Sequence, residues 1–108
     1  MSLLCRSTVI GTLPVLHLSG DLDLGSLPAM HGAVTQIVTA HPGKLIAIDL
    51  DGVAVLDDAG LGVLLGAAGR AREASGDLVL VCSSQRFRAR FERSGLARAI
   101  EVRDRLTP

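Results

Sequence analysis

Two adjacent carboxylates, Asp57 and Asp58, mark the part of the chain whose residue types could do chemistry. An apolar periodicity follows them directly, so we expect them at the first turn of a helix. Unpaired backbone N–H groups and the positive end of the helix dipole favour negative charge there. One aspartate that caps the helix and one in its first turn would together contribute about 1–2 kcal/mol. The same environment would also receive a phosphate group.

Three glycines, Gly62, Gly66 and Gly69, fall inside the predicted helix that follows these aspartates. Each costs about 1 kcal/mol relative to alanine in a helix interior. Their spacing of four and three residues places them along one face of the helix. A helix with this avoidable cost is expected to need a smooth surface for close approach. That surface would meet either a neighbouring element of the same chain or a partner protein.

Two other motifs imitate catalytic or cofactor-binding sequences without their context. Asp49, Asp51 and Gly52 form a D-x-D-G sequence like that of haloacid-dehalogenase-type phosphatases, whose aspartates act as nucleophile and general acid beside Mg²⁺. That motif is expected near the N-terminus of a larger chain, and no lysine follows it here. The G-x-G-x-x-x-G spacing from Gly60 to Gly66 differs from that of a dinucleotide-binding loop.

Residue types that bind metals or act as bases are present but isolated. Asp21 and Asp23 stand in a turn that supplies no further Ca²⁺ ligands. Cys5 and Cys82 have neither C-x-x-C spacing nor a neighbouring histidine, so they are interpreted as buried reduced thiols or as a redox-sensitive pair. His17 lies on the polar side of a predicted strand and is expected to face solvent. We therefore expect no catalytic residue, no metal and no cofactor, and a protein that is not an enzyme.

The composition excludes several classes of partner. Eleven basic and eleven acidic residues give the 108-residue chain a formal net charge of zero, which removes the electrostatic basis of nucleic-acid binding. Its apolar stretches are far shorter than the roughly 20 residues of a membrane span, and a signal-peptide layout is absent. We expect a single cytoplasmic domain over residues 1–108, with 1–3 as a candidate leader and 103–108 as a polar tail.

The periodicity of the apolar residues predicts the element order β-β-α-β-α-β-α-β. The predicted strands cover 4–10, 15–18, 44–50, 77–82 and 97–102. The predicted helices begin near Ser26, Ala59 and Ser83 or Ser84, and end near 41–43, 74 and 94. Ser83 or Ser84 is expected to cap the third helix, with Phe87 and Phe91 one turn apart on its core side. Strand–helix–strand crossovers require parallel neighbours. The order therefore predicts an α/β fold, a small mixed, largely parallel β-sheet with helices packed against it.

Five segments, in order, carry a resemblance to a known family. Residues 57–66 (DDAGLGVLLG) resemble the D-S-[ST]-G-L-G-x-[IL]-x-G signature of bacterial anti-sigma-factor antagonists, which belong to the STAS family. Residues 20–23 and 44–50 resemble the junction before the first helix and the strand that feeds the signature. Residues 76–81 and 94–96 resemble the strand after it and the turn after the third helix. The likeness covers residues 6–102 and implies a STAS-like fold.

The resemblance implies a switch by exchange of protein partners. Antagonists of this type bind an anti-sigma factor, often a serine kinase of the histidine-kinase-like ATPase fold, and so regulate transcription by releasing the sigma factor. The kinase phosphorylates the serine after the first aspartate of the signature, which weakens the complex. Carried over residue by residue, the likeness predicts partner contacts at Asp23, Asp57, Asp58, Ala59, Gly60, Leu61, Gly62 and Gly66.

The chain departs from this pattern at the phosphoacceptor position. Asp58 occupies that position and Ala59 the adjacent Ser/Thr position, so neither side chain offers a hydroxyl. A carboxylate carries about one negative charge, whereas phosphoserine carries about 1.5 to 2. Asp58 is either a permanent partial mimic of the phosphorylated form or an unregulated contact to a diverged partner. Regulation would then lie in partner abundance, another modification or the two thiols.

Arginines in the second and third predicted helices form either a solvated basic face or an electrostatic rim for an acidic partner. They are Arg70, Arg72, Arg86, Arg88, Arg90 and Arg93.

A second functional class also fits the sequence. The chain would then be a STAS-like scaffold or sensor subunit of a larger signalling complex, binding a small ligand or a nucleotide.

Overall fold

Five strands and four helices make up the part of the chain that the computed structural model describes, residues 2–106. The strands are β1 Leu3–Ile10, β2 Leu13–Leu22, β3 Leu45–Leu56, β4 Asp77–Val81 and β5 Glu101–Arg103. The helices are α1 Leu27–Ala40, α2 Asp58–Glu73, α3 Gln85–Ser94 and α4 Leu96–Ala99, and a 3-10 turn, Leu24–Ser26, precedes α1. The sheet order is β1-β2-β3-β4-β5. Only β1 and β2 pair antiparallel, which confirms the predicted mixed, largely parallel sheet.

The alternation of side chains along β2 separates the two faces of the sheet. Leu16 and Leu18 join the main core, which the sheet forms with the helices. Val15 belongs to a smaller cluster on the opposite face. That cluster contains Val15, Ala47, Val79 and Val81, each at most 2% exposed, with Leu13 and Leu106 packed against it.

Both ends of the described chain contribute residues to the packed fold. Leu3 is the first residue of β1 and is buried, although it falls in the candidate leader. Arg103 ends β5, and Leu106 of the predicted polar tail packs against the smaller cluster. Residues 1, 107 and 108 lie outside the described residues.

The strands β2 and β3 are both longer than predicted, because polar residues and glycines continue them beyond their apolar runs. β2 continues past Leu18 to Leu22, and β3 continues past Leu50 to Leu56. Two register shifts interrupt their pairing. A Cβ atom at Gly52 would lie 2.7 Å from the carbonyl oxygen of Leu18, so glycine permits this close approach of the strands. The extensions carry the loops that lead into α1 and α2.

The segment 97–102 is not the strand that its apolar alternation predicts. Gly95 adopts a left-handed conformation with φ 83° and ends α3. The chain then forms α4, and the backbone N–H of Ile100 donates to the carbonyl of Leu96 at 3.0 Å. Only Glu101–Arg103 pairs with β4. Leu96 and Ile100 are buried, so the same apolar residues fill the core from a helical turn.

The third helix begins and packs as its sequence indicates. Of the two serines proposed as its cap, Ser84 is the N-cap, and its hydroxyl accepts from the backbone N–H of Phe87 at 3.3 Å. Phe87 and Phe91 lie one turn apart on the core side and are 6% and 0% exposed. The chain contains no other phenylalanine, tyrosine or tryptophan, and both phenylalanines anchor α3 to the core.

Candidate functional site at the N-terminus of α2

The two aspartates that open α2 have different structural roles. Asp57 is the N-cap, with extended backbone angles, and its carboxylate accepts from the backbone N–H of Gly60 at 2.9 Å. Asp58 is the first helical residue and places its charge in the first turn. One aspartate caps the helix and the other faces its dipole, as the first of the two sequence interpretations predicts.

Asp58 lies at the surface and is held by an arginine from another helix. Its side chain is 97% exposed, and Arg90 of α3 donates to its Oδ1 at 2.7 Å. The same guanidinium donates to the backbone carbonyl of Leu56, at the end of β3. An exposed ion pair of this kind contributes about 0–1 kcal/mol. The contact therefore orients and partly neutralises the carboxylate more than it stabilises the fold.

Two of the predicted contact residues support the surface from inside. Gly60 is buried, and a Cβ atom there would overlap the carbonyl oxygen of Leu22 and lie 2.9 Å from Leu56 Cδ1. Leu61 is 7% exposed and belongs to the main core. Both hold α2 against the ends of β2 and β3. Their contact with a partner stays a prediction.

The three glycines farther along α2 do not pack against another element of the chain. A Cβ atom at Gly62, Gly66 or Gly69 would meet nothing within 4 Å among the described residues. The interpretation that they serve close packing within the protein is therefore wrong. Gly62 and Gly66 instead line an open groove of about 360 Å³ beside α1. The other residues of this α1–α2 groove are Leu27, His31, Ala59, Val63 and Arg70.

Asp23 follows the end of β2 as Asp57 follows the end of β3. Leu22 pairs with Leu56, so Asp23 and Asp57 each directly follow one of two neighbouring strand ends. The backbone N–H and C=O of Asp23 both bond to the hydroxyl of Ser26, each at 3.0 Å. Ser26 is N-cap of α1, but its side chain makes this contact and no bond to the helix. The parallel pairing thus brings the predicted residues 23 and 57–59 to one edge of the sheet.

The six arginines do not form one continuous rim. Arg72 bonds to Asp77 and to the carbonyl of Ala99, and Arg70 contacts His31 across the α1–α2 groove. The pKa of Asp77 lies below its usual value, mainly because the backbone N–H of Leu78 donates to its carboxylate and secondly because Arg72 does so. The arginines of α3 lie elsewhere, and Arg86 stacks on Phe87 with 5.2 Å from its guanidinium carbon to the ring centroid.

The two cysteines are free and lie on strands that are not neighbours. Cys5 is in β1 and Cys82 directly follows β4, so β2 and β3 separate them. Strands lie about 4.8 Å apart, whereas the Cα atoms of a disulfide are about 4.4–6.8 Å apart. Burial raises the pKa of both thiols. The structure therefore supports two reduced thiols rather than a redox pair within one chain.

A hydrogen-bonded chain of polar residues crosses three strands on the face of the smaller cluster, and sequence reasoning missed it. His17 Nδ1 lies 2.8 Å from Asp49 Oδ2, and Thr8 Oγ1 lies 2.7 Å from His17 Nε2. Because a carboxylate only accepts, Nδ1 donates to Asp49. The side chain of His17 is 18% exposed, so the expected solvent-facing residue is half-buried. Only the pairing register brings these residues together.

The D-x-D-G sequence also has a structural role. Besides binding His17, Asp49 accepts from the backbone N–H of Asp51 at 3.0 Å. Asp51 accepts from the backbone N–H and the hydroxyl of Ser83 at 2.8 and 3.0 Å. These bonds tie β3 to the segment that leaves β4.

Between residues 2 and 106, no three His, Cys, Asp or Glu side chains are grouped so as to hold a metal ion. In the same part of the chain, every helix is too short or too polar to span a membrane.

Known proteins resemble the chain in both sequence and structure. Residues 6–107 match the STAS domain model. An anti-sigma-B factor antagonist from Listeria monocytogenes is 32% identical over 89 residues, covering 82% of this chain and 77% of that protein. A crystal structure of an anti-sigma factor antagonist from Mycobacterium paratuberculosis superposes with a TM-score of 0.78 at 22% identity, covering 96% of this chain and 87% of that one. Phosphorylated SpoIIAA, a Bacillus cell fate determinant, gives 0.66 at 20% identity, with coverages of 92% and 90%. The chain belongs to the STAS domain family.

Proposed function

We propose that this protein is an anti-sigma-factor antagonist, a cytoplasmic binding protein that sequesters an anti-sigma factor and so regulates transcription. The observation that carries the proposal is the 32% identity, over 82% of the chain, to an anti-sigma-B factor antagonist. The ordered signature segments in residues 6–102 support it, since they include the stretch around Asp58 that such proteins use for their partner.

The binding surface in this proposal is the N-terminal half of α2 with the adjoining α1–α2 groove. Asp58, Gly62 and Gly66 are exposed there, and Leu65 of the same helix is 44% exposed. Glycines without neighbours leave the helix backbone open to a partner, although they lower helix stability. A surface that combines exposed apolar groups with one charge is typical of a docking site. Asp23 and Ala59 lie at its edge.

Asp58 takes the place of the phosphorylated serine, and we propose that it is a constant contact. Neither Asp58 nor Ala59 has a hydroxyl, so a serine kinase would find no acceptor at these positions. The carboxylate carries about one negative charge, and Arg90 pairs with it at 2.7 Å. This partial neutralisation favours a plain contact over a mimic of phosphoserine. The partner is an anti-sigma factor, whether or not it retains kinase activity.

Co-purification with the anti-sigma factors of the same cell tests the proposal. The parent protein, Asp58→Ser and Asp58→Ala serve as baits for each tagged anti-sigma factor. We expect one factor to be retained by the parent, and retained equally or more weakly by Asp58→Ala if the aspartate is a plain contact. Tighter retention by Asp58→Ala would indicate a mimic of the phosphorylated form. Failure of all three baits with every factor would refute the antagonist function.

Incubation with ATP and the retained factor tests the regulation separately. We expect phosphate on Asp58→Ser, if that factor is a kinase, and none on the parent. Phosphate mapped to Ser26, Ser83 or Ser84 of the parent would contradict the proposal that this protein is not regulated by phosphorylation.

A further inference from the structure

Within residues 2–106, the last part of β3 has a strand on one side only. β3 pairs with β4 as far as Asp49, opposite Val81, whereas its pairing with β2 continues to Leu56. Ser83 bonds to Asp51 and closes the near end of this free edge. Residues 52–56 then continue for about 17 Å, at about 3.3 Å per residue, without a strand on the side of β4. An edge of this kind exposes backbone donors and acceptors that another strand can use.

A basic groove runs between this edge and α3. It has a volume of about 470 Å³, and we call it the β3–α3 groove. It is lined by Ala54, Val55, Leu56, Arg86, Phe87, Arg90 and Arg93. Three of these seven residues are arginines and none is acidic. The groove therefore combines free strand backbone on one wall with three arginines on the other, of which Arg90 is already paired with Asp58.

The arginines of the groove are available to different degrees. Arg90 is the least available, because it donates to the carbonyl of Leu56, the last residue of the edge, and to Asp58. Arg86 and Arg93 make no ion pair within residues 2–106. Along an α-helix, Arg86 and Arg90 are about 6 Å apart, and Arg90 and Arg93 about 4.5 Å. Side chains on one face of an extended strand repeat at about 6.6 Å. This spacing is close enough to that of the arginines for their flexible side chains to reach successive carboxylates.

We propose that the β3–α3 groove binds an extended acidic segment of a partner protein, which pairs with residues 52–56 of β3 and places its carboxylates against Arg86, Arg90 and Arg93. Backbone hydrogen bonds to the edge would give affinity, and the arginines would select acidic side chains. The site adjoins the α2 surface at the Arg90–Asp58 ion pair, but its free strand edge comes from β3 and its other arginines, Arg86 and Arg93, come from α3. The proposal holds whichever partner α2 binds.

Fluorescence anisotropy with synthetic peptides tests the proposal on the full chain. The probe is a fluorescein-labelled hexapeptide of alternating glutamate and valine. We expect saturable binding that weakens with salt. A peptide with glutamine in place of glutamate tests the charge, and one with a methyl group on every backbone nitrogen tests the backbone bonds, since it has no backbone N–H to donate on either edge. Both should bind at least about tenfold more weakly. Equal binding of the N-methylated peptide would overturn strand pairing, and no binding of the probe at 1 mM would overturn the site.

Variants of α3 locate the binding. Arg86→Gln with Arg93→Gln should raise the Kd of the probe about tenfold, as expected for the loss of two exposed charge contacts. Arg93→Gln alone, which leaves the stacking of Arg86 on Phe87 intact, should raise it about threefold. Arg88→Gln is the matched control, because Arg88 is on the same helix but does not line the groove. An equal loss in Arg88→Gln would show non-specific attraction and overturn the proposal.

Amide chemical shifts decide which surface is occupied. The probe should shift the amides of Ala54, Val55 and Leu56 and those of α3. Shifts confined to Gly62 and Gly66 would overturn the assignment. Tighter binding of ATP than of the probe, with shifts at the same residues, would overturn it in favour of a nucleotide site. Because no anti-sigma factor is present, failure of these experiments leaves the antagonist function untouched.

Discussion

The two sides of α2 contain the same residue type for different reasons. On the side that meets the sheet, Gly60 is buried, and its backbone approaches the carbonyl of Leu22 so closely that no Cβ fits. On the outer side, Gly62, Gly66 and Gly69 have no neighbour within 4 Å of a Cβ position. Packing thus accounts for the first glycine and leaves the other three unexplained by the fold.

The difference between the two sides shows that the outer side of α2 carries residues that lower the stability of the helix. Each outer glycine costs about 1 kcal/mol relative to alanine, and no contact within the described part of the chain offsets that cost. Sites at which local sequence disagrees with the structure it forms are often functional. The outer side of α2 is therefore the better candidate for partner binding, and the inner side belongs to the core.

Substitution of the inner glycine should have the largest effect. In Gly60→Ala the new Cβ would overlap the Leu22 carbonyl and lie 2.9 Å from Leu56 Cδ1. We expect the free energy of unfolding to fall by about 2–3 kcal/mol, as measured by urea denaturation. Gly69→Ala is the control and should raise it, by up to about 1 kcal/mol. A loss below about 0.5 kcal/mol in Gly60→Ala would contradict the inner packing.

The next largest effect is the difference in stability between variants of the two aspartates that open α2. Asp57→Ala removes the cap of the Gly60 N–H and should cost about 1–2 kcal/mol in the same assay. Asp58→Ala removes a 97% exposed side chain and should change stability by less than about 0.5 kcal/mol. Similar losses from both would show that the charge of Asp58 contributes as much to this helix end as the cap, and would contradict the expected difference.

The outer glycines should separate stability from binding. Gly66→Ala fills open space, so we expect about 0.5–1 kcal/mol of added stability from the reduced freedom of the unfolded chain. Because Gly66 lines the α1–α2 groove, the same change should weaken retention of the anti-sigma factor. Gly69→Ala should stabilise without this weakening, since Gly69 does not line the groove. Unchanged retention by Gly66→Ala would remove the groove from the binding surface.

The smallest expected effect concerns the thiols of the buried Cys82 and the partly buried Cys5. Burial raises the pKa of Cys5 and Cys82 in the folded state. Their contribution to stability is therefore complete below the pKa of the unfolded thiols and is lost as the pH rises through the folded pKa. The chain contains one lysine and no tyrosine, so few other side chains titrate there. The urea midpoint should fall between pH 7.5 and 10, and fall less in Cys82→Ala. An equal fall in both proteins would contradict the role of Cys82.

The sequence predicted the elements well wherever a local pattern specifies them. The stripe of α2, the Ser84 cap and the buried Phe87 and Phe91 all follow from helical periodicity. Predictions failed where polar residues continue a strand, as in the ends of β2 and β3. They failed again at residues 97–102, where a four-residue helix and a strand share the same apolar spacing. In these cases pairing and burial against distant residues decide the conformation.

The sequence by itself determined the fold class, the family likeness and the aspartates that open α2, because periodicity, caps and signature residues are local properties. It also showed the loss of the hydroxyl at Asp58. Only the tertiary structure decided which glycines are packed and which are open. It alone brought Arg90 to Asp58 and left the end of β3 beside the arginines of α3. These are contacts between residues far apart in the chain, and they depend on strand register and helix placement.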